Sequence, residues 1–483
     1  MGLILSAMSY CRTALLLVDG ARYDVLSKLI AGGRLPYLGR LHLRRAVTVF
    51  PSTTGPAYLP LLTGRFPGPL NIPGIRWLSK EVLARGLLHP HARRSYMGHE
   101  AIFFDRDIPV KTLFEHFHRP WAVFSLITKG LPRRGNRTRW SRRLVYPYSH
   151  FLHDWRPLDH IFARKLVQWA SSDSDFLFAV FPSVDGFSHL YHPVHPKVLE
   201  SYRNFDIALG AMWEALQRRG DLDRTLILVV SDHGLTPTHT HIDLAHFLQE
   251  RFRCLYYPLV FKPGAASAEM VSGNGMSHIY LKNGTWRGRA FWEDIRGLRA
   301  VEDLLALGGV DFLACQDQGE AILVLGREGR ARFLSEGDGI RYEFEGEDPL
   351  GIGKPGAFSL REALEHTYEG DHPDAPLQLL QLFLAERTGD IVVSARAGYD
   401  LRARWEFPEH RATHGALVRG QMIVPVLANA SLPPEPLRTV DLFPWVLKLT
   451  GKVLGQLVLD KQERPLRDIY KTTVDGRGHT QAA

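Results

Sequence analysis

Hydrophobic positions in the first half of the chain fall in short unbroken blocks. Residues 14–18 (Ala-Leu-Leu-Leu-Val), 46–50, 121–127, 176–181 and 226–230 each have strand length. Blocks of that kind suit strands covered on both faces, as in a parallel sheet. Between them, residues 23–30, closed by Gly32 and Gly33, and the long amphipathic stretch 198–219 predict helices. Strand blocks interleaved with helical patterns predict an α/β fold. Residues 420–428 and 439–449 predict a returning strand and a final helix. From about 245 to 410 the pattern loosens: Gly-rich and acidic stretches such as 343–348 alternate with short helical segments. The organisation expected is a discontinuous α/β core from 1–245 and 411–483, interrupted by an insertion or cap at 246–410. No internal repeat is present.

The 483 residues are 45% hydrophobic and 23% charged, a soluble globular balance that excludes global disorder. The formal net charge of +8 favours an anionic partner without identifying it. Basic residues concentrate in 129–143, where Lys129, Arg133, Arg134, Arg137, Arg139, Arg142 and Arg143 surround Trp140 with no acid among them. This stretch reads as a solvated loop, with contact to an anionic membrane surface as the sharper alternative. Cys11, Cys254 and Cys315 form no CxxC pair, so neither a disulfide framework nor a cysteine metal site is suggested. The first residues lack a basic leader, and no run reaches 18 apolar residues, so a cytoplasmic protein is the expectation. No specific nucleic-acid motif is found.

The apolar blocks end in chemistry. The first is followed by Asp19, the second by Ser52-Thr53-Thr54-Gly55-Pro56, the fourth by Asp185 with His189 four residues on, and the fifth by Asp232-His233-Gly234. Open α/β sheets bind ligands outside the carboxyl ends of their strands. Asp oxygens and His nitrogens without thiolates suit Zn²⁺, Mn²⁺ or a similar divalent ion. Two such ions clamp the attacking and leaving oxygens of an in-line displacement, and coordination makes a hydroxyl nucleophilic. Pro56 fits the first turn of a helix through Leu62, which puts Thr54 near free N–H groups that favour a phosphoryl oxygen. Singly, each of these residues reads as a turn or cap. Their coincidence at strand ends points to a metal-dependent hydrolase.

Asp19-Gly20, the segment FPSTTGPAYLPLLTG at 50–64, Asp185-x-x-x-His189, Asp232-His233-Gly234 and Thr413-His414-Gly415 resemble the type I phosphodiesterase/nucleotide pyrophosphatase family of the alkaline phosphatase superfamily. The resemblance implies a three-layer fold with a central, mostly parallel sheet and an inserted segment. It implies two zinc ions, one held by Asp19, Thr54, Asp232 and His233, the other by Asp185, His189 and His414. Thr54 matches the family's nucleophile, which forms a phospho-threonine ester that water releases from a phosphodiester or pyrophosphate substrate. The family usually has Asn three residues after the nucleophile, where this chain has Ala57; Tyr58, Asn71 and Asn274 are the candidates for the missing phosphoryl contact. Sulfatases and alkaline phosphatases proper fit less well: the segment offers no formylglycine precursor and no serine nucleophile.

Other motifs carry less. Gly351, Gly353 and Gly356 spell GxGxxG after an acidic stretch, without the preceding apolar strand of a dinucleotide site. His239 and His241 read as hydrogen-bonding or surface residues, His89, His91 and His99 as exposed, and His192 and His195 as close to the Asp185 motif. A lipid-headgroup phosphodiesterase, a phosphotransferase using the same site and an anion-binding pseudoenzyme remain open.

Overall fold

The apolar run Arg12–Val18 is buried at every position and forms a middle strand of a six-stranded sheet. On one side it pairs in parallel with Phe176–Phe181, which pairs in parallel with Pro120–Val123; on the other it pairs in parallel with Thr225–Val230. Ile423–Ala428 then joins antiparallel, and His42–Val47 pairs antiparallel to that strand at the edge. Five strands therefore share one direction, as the unbroken apolar blocks imply. The computed structural model describes residues 10–452 apart from 87–88, 90, 258–261 and 403–406. Helices Tyr23–Ala31, Arg156–Ala170, Pro196–Arg219 and Leu442–Leu449 contribute to the core around this sheet. Among the described residues no helix is long and apolar enough to cross a membrane.

Two expected strands end early. The block 46–50 leaves the sheet after Val47, because Val49 and Phe50 bury instead against a second core with Phe312, Val392 and Met422. The block 121–127 stops at Val123, where Phe124 takes a left-handed conformation (φ 53°) that a strand does not accommodate. The returning strand begins at Ile423, after a single helical turn at Arg419–Met422.

The loosened stretch does contain short helices, among them Arg299–Ala306, Leu360–Thr367 and Ala375–Phe383, but the sequence pattern does not reveal its strands. It supplies a nine-stranded sheet whose neighbours run antiparallel, apart from the parallel pair Ser267–Ser272 and Cys254–Tyr256. The acidic segment lies partly in strand Gly339–Gly346, where Ile340 and Tyr342 point inward between exposed neighbours. That two-residue alternation is what a half-wet strand requires. The GxGxxG string falls between the antiparallel strands Gly339–Gly346 and Gly356–Ser359, so no strand–turn–helix unit surrounds it.

Candidate metal and phosphoryl site

At the carboxyl end of the central strand, Asp19 follows Val18 and is 2% exposed. Gly20 takes φ +71°, and a Cβ there would press on the backbone of Asp185, so glycine at this turn lets the two acidic segments close up. Asp185 lies in the first turn of helix Ser183–Tyr191, and His189 one turn on, so both point from one helix face. His189 Nε2 is 3.3 Å from Asp185 Oδ1. Asp232 and His233 follow strand Thr225–Val230; the chain then enters strand Thr236–His241, which pairs antiparallel with Ala412–Thr413. That pairing lays His414 over His233, with ring centroids 3.8 Å apart.

Thr53 is fully buried, whereas Thr54 is partly exposed within an otherwise buried segment. Thr54 Oγ1 sits 3.0 Å from His233 Nε2 and 3.3 Å from Asp19 Oδ1. Gly55 takes φ +94°, and a side chain there would collide with Phe104 and Leu126. The expected helix from Pro56 is a 3-10 turn, Pro56–Tyr58, followed by five helical residues, Leu59–Thr63. The N–H groups of Ala57 and Tyr58 donate to the carbonyls of Thr53 and Gly55, so those two donors are not free for a phosphoryl oxygen.

Three histidines share one arrangement. His189 Nδ1 faces the Ala412 carbonyl at 2.7 Å, His414 Nδ1 the Ser52 carbonyl at 3.1 Å, and His233 Nδ1 the Gly234 carbonyl at 3.2 Å. A carbonyl only accepts, so each Nδ1 carries a proton, and in the neutral ring Nε2 is the nitrogen left with a lone pair. All three Nε2 atoms face carboxylates: His189 and His414 face Asp185 Oδ1 at 3.3 and 3.9 Å, and His233 faces Asp232 Oδ2 at 3.3 Å and Asp19 Oδ1 at 3.5 Å. Lone pairs aimed at carboxylates repel unless a cation lies between, and backbone-anchored Nδ1 atoms are the usual support of metal-binding imidazoles. Asp185 Oδ1 and Asp232 Oδ2 are buried without a hydrogen-bond donor, which leaves two anionic oxygens for a cation to satisfy. Asp185, His189 and His414 form one group with metal-ligand spacing; Asp19, Asp185 and His233 form a second. The donor set therefore fits divalent cations, with Asp185 common to both groups.

The electrostatics agree. Burial, then the charges of Asp232 and Asp185, holds the Asp19 carboxyl well above its usual range. Burial also raises Asp232 against the opposing pull of His233. For Asp185, protonated neighbours at His189, His414 and His233 outweigh burial and hold it below the carboxylate range; with those imidazoles neutral, a bound cation would take over that part. Burial, then His233, pushes His414 well below an ordinary imidazole. Cations are what would allow three neighbouring carboxylates to ionise together here.

The three substrate candidates separate. Tyr58 is buried, and its phenol, kept protonated by burial and by Asp19, donates to Asp19 Oδ2 at 3.3 Å. Asn274 lies one residue from Gly273, against which His414 and Thr53 pack, and its amide nitrogen faces Asp400 Oδ2 at 3.1 Å. Asn71 is not brought to the cluster: its Oδ1 accepts from the Arg387 N–H, and it lines a separate cavity of about 720 Å³ with Lys80 and Arg289. Sequence reasoning missed His410, whose ring lies 4.1 Å from that of His189. Its spacing of four from His414 was the available signal. His241 also borders this region, 3.2 Å from Glu409, while His239 is exposed. His195 caps helix Pro196–Arg219, accepting from Lys197 N–H. His91 is exposed and meets Arg94, His89 is half-buried, and the side chain of His99 lies outside the described residues.

A family profile described as Type I phosphodiesterase / nucleotide pyrophosphatase matches residues 13–417. An uncharacterized pyrophosphatase/phosphodiesterase of Schizosaccharomyces pombe is 22% identical over 232 residues, 46% of this chain. The match spans only 44% of the length of that curated relative. Among solved structures, phosphonoacetate hydrolase from Sinorhizobium meliloti 1021 with phosphonoformate superposes with a TM-score of 0.54 at 17% identity, over 92% of this chain and 96% of that one. Murine ectonucleotide pyrophosphatase / phosphodiesterase 5, an inactive threonine-to-alanine variant in complex with AMP, gives a TM-score of 0.55 at 14% identity, over 92% and 95%. At such identities the likeness concerns the fold.

Proposed function

The chain belongs to the type I phosphodiesterase/nucleotide pyrophosphatase family, and from that premise we propose that it is a metal-dependent phosphoric diester hydrolase with Thr54 as nucleophile. One observation carries the reading: three imidazoles, each anchored at Nδ1 by a carbonyl, aim Nε2 at carboxylates beside the accessible Thr54 hydroxyl. Asp19, Thr54, Asp232 and His233 would hold one divalent ion, and Asp185, His189 and His414 the other, with zinc the best match to this nitrogen and oxygen set. Such ions, when bound, lower the pKa of the hydroxyl and offset phosphoryl charge.

The chain's own groups do the rest. Thr54 Oγ1 attacks phosphorus, forming a threonine–phosphoryl ester as the bond to the leaving oxygen breaks. Water then attacks the same phosphorus and returns the hydroxyl to Thr54. Tyr58 holds Asp19 in place through its phenol. The murine relative is described as inactive when one of its threonines is changed to alanine, which is in keeping with a threonine nucleophile here. Substrates are phosphodiesters or pyrophosphates, and Ala57 in place of the family's asparagine distinguishes how the phosphoryl oxygens are held. The test is an assay of metal-stripped, zinc-reloaded protein on nucleotide diesters, lipid diesters and simple monoesters. Diester turnover is expected to exceed monoester turnover by at least about tenfold. A strong monoester preference would place the chain with phosphatases instead.

A further inference from the structure

Residues 139–143 of the basic stretch are not loop: they open helix Arg139–Leu152. Its inner face carries Val145 and Tyr146, which pack on the core, and the buried Ser149. The opposite face is apolar and bare. Trp140, Leu144, Tyr148 and Phe151 recur at spacings of four, four and three, within an arc of about 80°. Leu144 is 70% exposed and Phe151 81%, and Leu152 beside them is half exposed. Isolated exposed apolar residues are ordinary; four along one helical stripe are not.

The stripe is rimmed by positive charge. From residue 129 to residue 153 there is no Asp or Glu. Arg133, Arg134, Arg137 and Arg143 are exposed, and among the described residues neither they nor Arg139 form an ion pair. Arg139 and Arg143 lie over the Trp140 ring at 5.7 and 5.6 Å, and Arg137 over Trp121 at 4.0 Å. Such side chains extend guanidinium groups beside an aromatic anchor, the pattern of a helix lying in a lipid headgroup layer.

We infer that helix Arg139–Leu152 docks the protein on an anionic bilayer, with Trp140, Leu144, Tyr148 and Phe151 entering the acyl boundary and the arginines meeting lipid phosphates. A nucleic acid would match the arginines but not the Leu144–Phe151 stripe, and a protein partner would be expected to meet a patterned surface, not uniform positive charge. The helix also borders the candidate site: Tyr146 packs edge-on against Trp155 at 5.3 Å, and Trp155 covers Gly186, next to Asp185. Docking thus brings the site to the membrane surface, whether the diester is soluble or lipid-borne.

Flotation of the full-length protein with vesicles tests this. Binding is expected to phosphatidylcholine vesicles containing phosphatidylglycerol, weaker binding to phosphatidylcholine alone, and release by high salt. The double variant Leu144→Glu/Phe151→Glu is expected to lower partitioning at least about tenfold while hydrolysing soluble bis(p-nitrophenyl) phosphate like the parent. Ile207→Glu, the same change at an exposed site on helix Pro196–Arg219, is expected to leave partitioning unchanged. If the double variant does not fold, Arg133→Ser/Arg134→Ser is expected to reduce the binding to acidic vesicles. The proposal is overturned if the parent ignores acidic vesicles, if both stripe and arginine variants bind as well as the parent, if the protein binds oligonucleotides but not vesicles, or if the stripe variant only disperses a dimer. Loss of vesicle binding with hydrolysis intact leaves the catalytic reading standing, so the two fail separately.

Discussion

Thr53 and Thr54 are the same side chain one position apart, and the fold gives them opposite surroundings. Thr53 is sealed against Gly273, while Thr54 is partly exposed beside His233 and Asp19. Sequence made the acids and histidines legible only in combination: singly each reads as a turn or cap, but most of them end successive apolar blocks, and the family resemblance added His414. It could not reveal which asparagine faced the site. Asn71 is drawn to Arg387 by a contact 316 residues away in sequence, and no local pattern encodes that. Asp185 stands in both candidate ion groups. Asp185→Asn is therefore expected to lower bound zinc from about two ions per chain to one or fewer, measured by mass spectrometry of the dialysed protein. Retention of both ions would show that Asp185 is required for neither.

At the scale of elements, buried strands were readable as apolar blocks, but their ends were not. Phe124 ends a strand through a left-handed backbone, and Val49 and Phe50 leave theirs to meet a sheet far along the chain. The second sheet was missed because its strands are short, half-wet and rich in glycine, so their alternation is diluted by turns. Strand Met276–Leu281 of that sheet carries a pH dependence of its own. His278 is fully buried; its Nε2 donates to the Pro73 carbonyl at 3.1 Å, and its Nδ1 accepts from Gly389 N–H at 3.2 Å. Burial, assisted by Arg289, lowers its pKa to about 4. The unfolded chain takes up that proton near the ordinary value of about 6.5, so the unfolded state binds more protons between there and 4. Stability from this residue is complete above that window and is lost as pH falls through it, on the order of 3 kcal/mol in all. His278→Gln is expected to flatten the fall in urea midpoint between pH 7 and pH 5. Parallel pH profiles for parent and variant would assign the acid sensitivity elsewhere.

Across the whole molecule, one mostly parallel sheet gathers residues 19, 185 and 232 at the carboxyl ends of its parallel strands, and the edge segment adds Thr54. The strand pairing after His233 draws His414 in from 181 positions later in the chain. That convergence was legible as an order of motifs, because strand ends in such sheets share one side. The contribution of the second sheet, whose Gly273 packs against His414 and Thr53, was not. Among these groups Thr54 carries the proposed bond-making step. The direct measurement is steady-state turnover of bis(p-nitrophenyl) phosphate by zinc-loaded Thr54→Ala, with Thr53→Ala as its neighbour control. Thr54→Ala is expected to lose at least about 10³-fold in kcat/KM with its melting temperature preserved, and Thr53→Ala to stay within about tenfold of the parent. Near-parental turnover by folded Thr54→Ala would contradict the account.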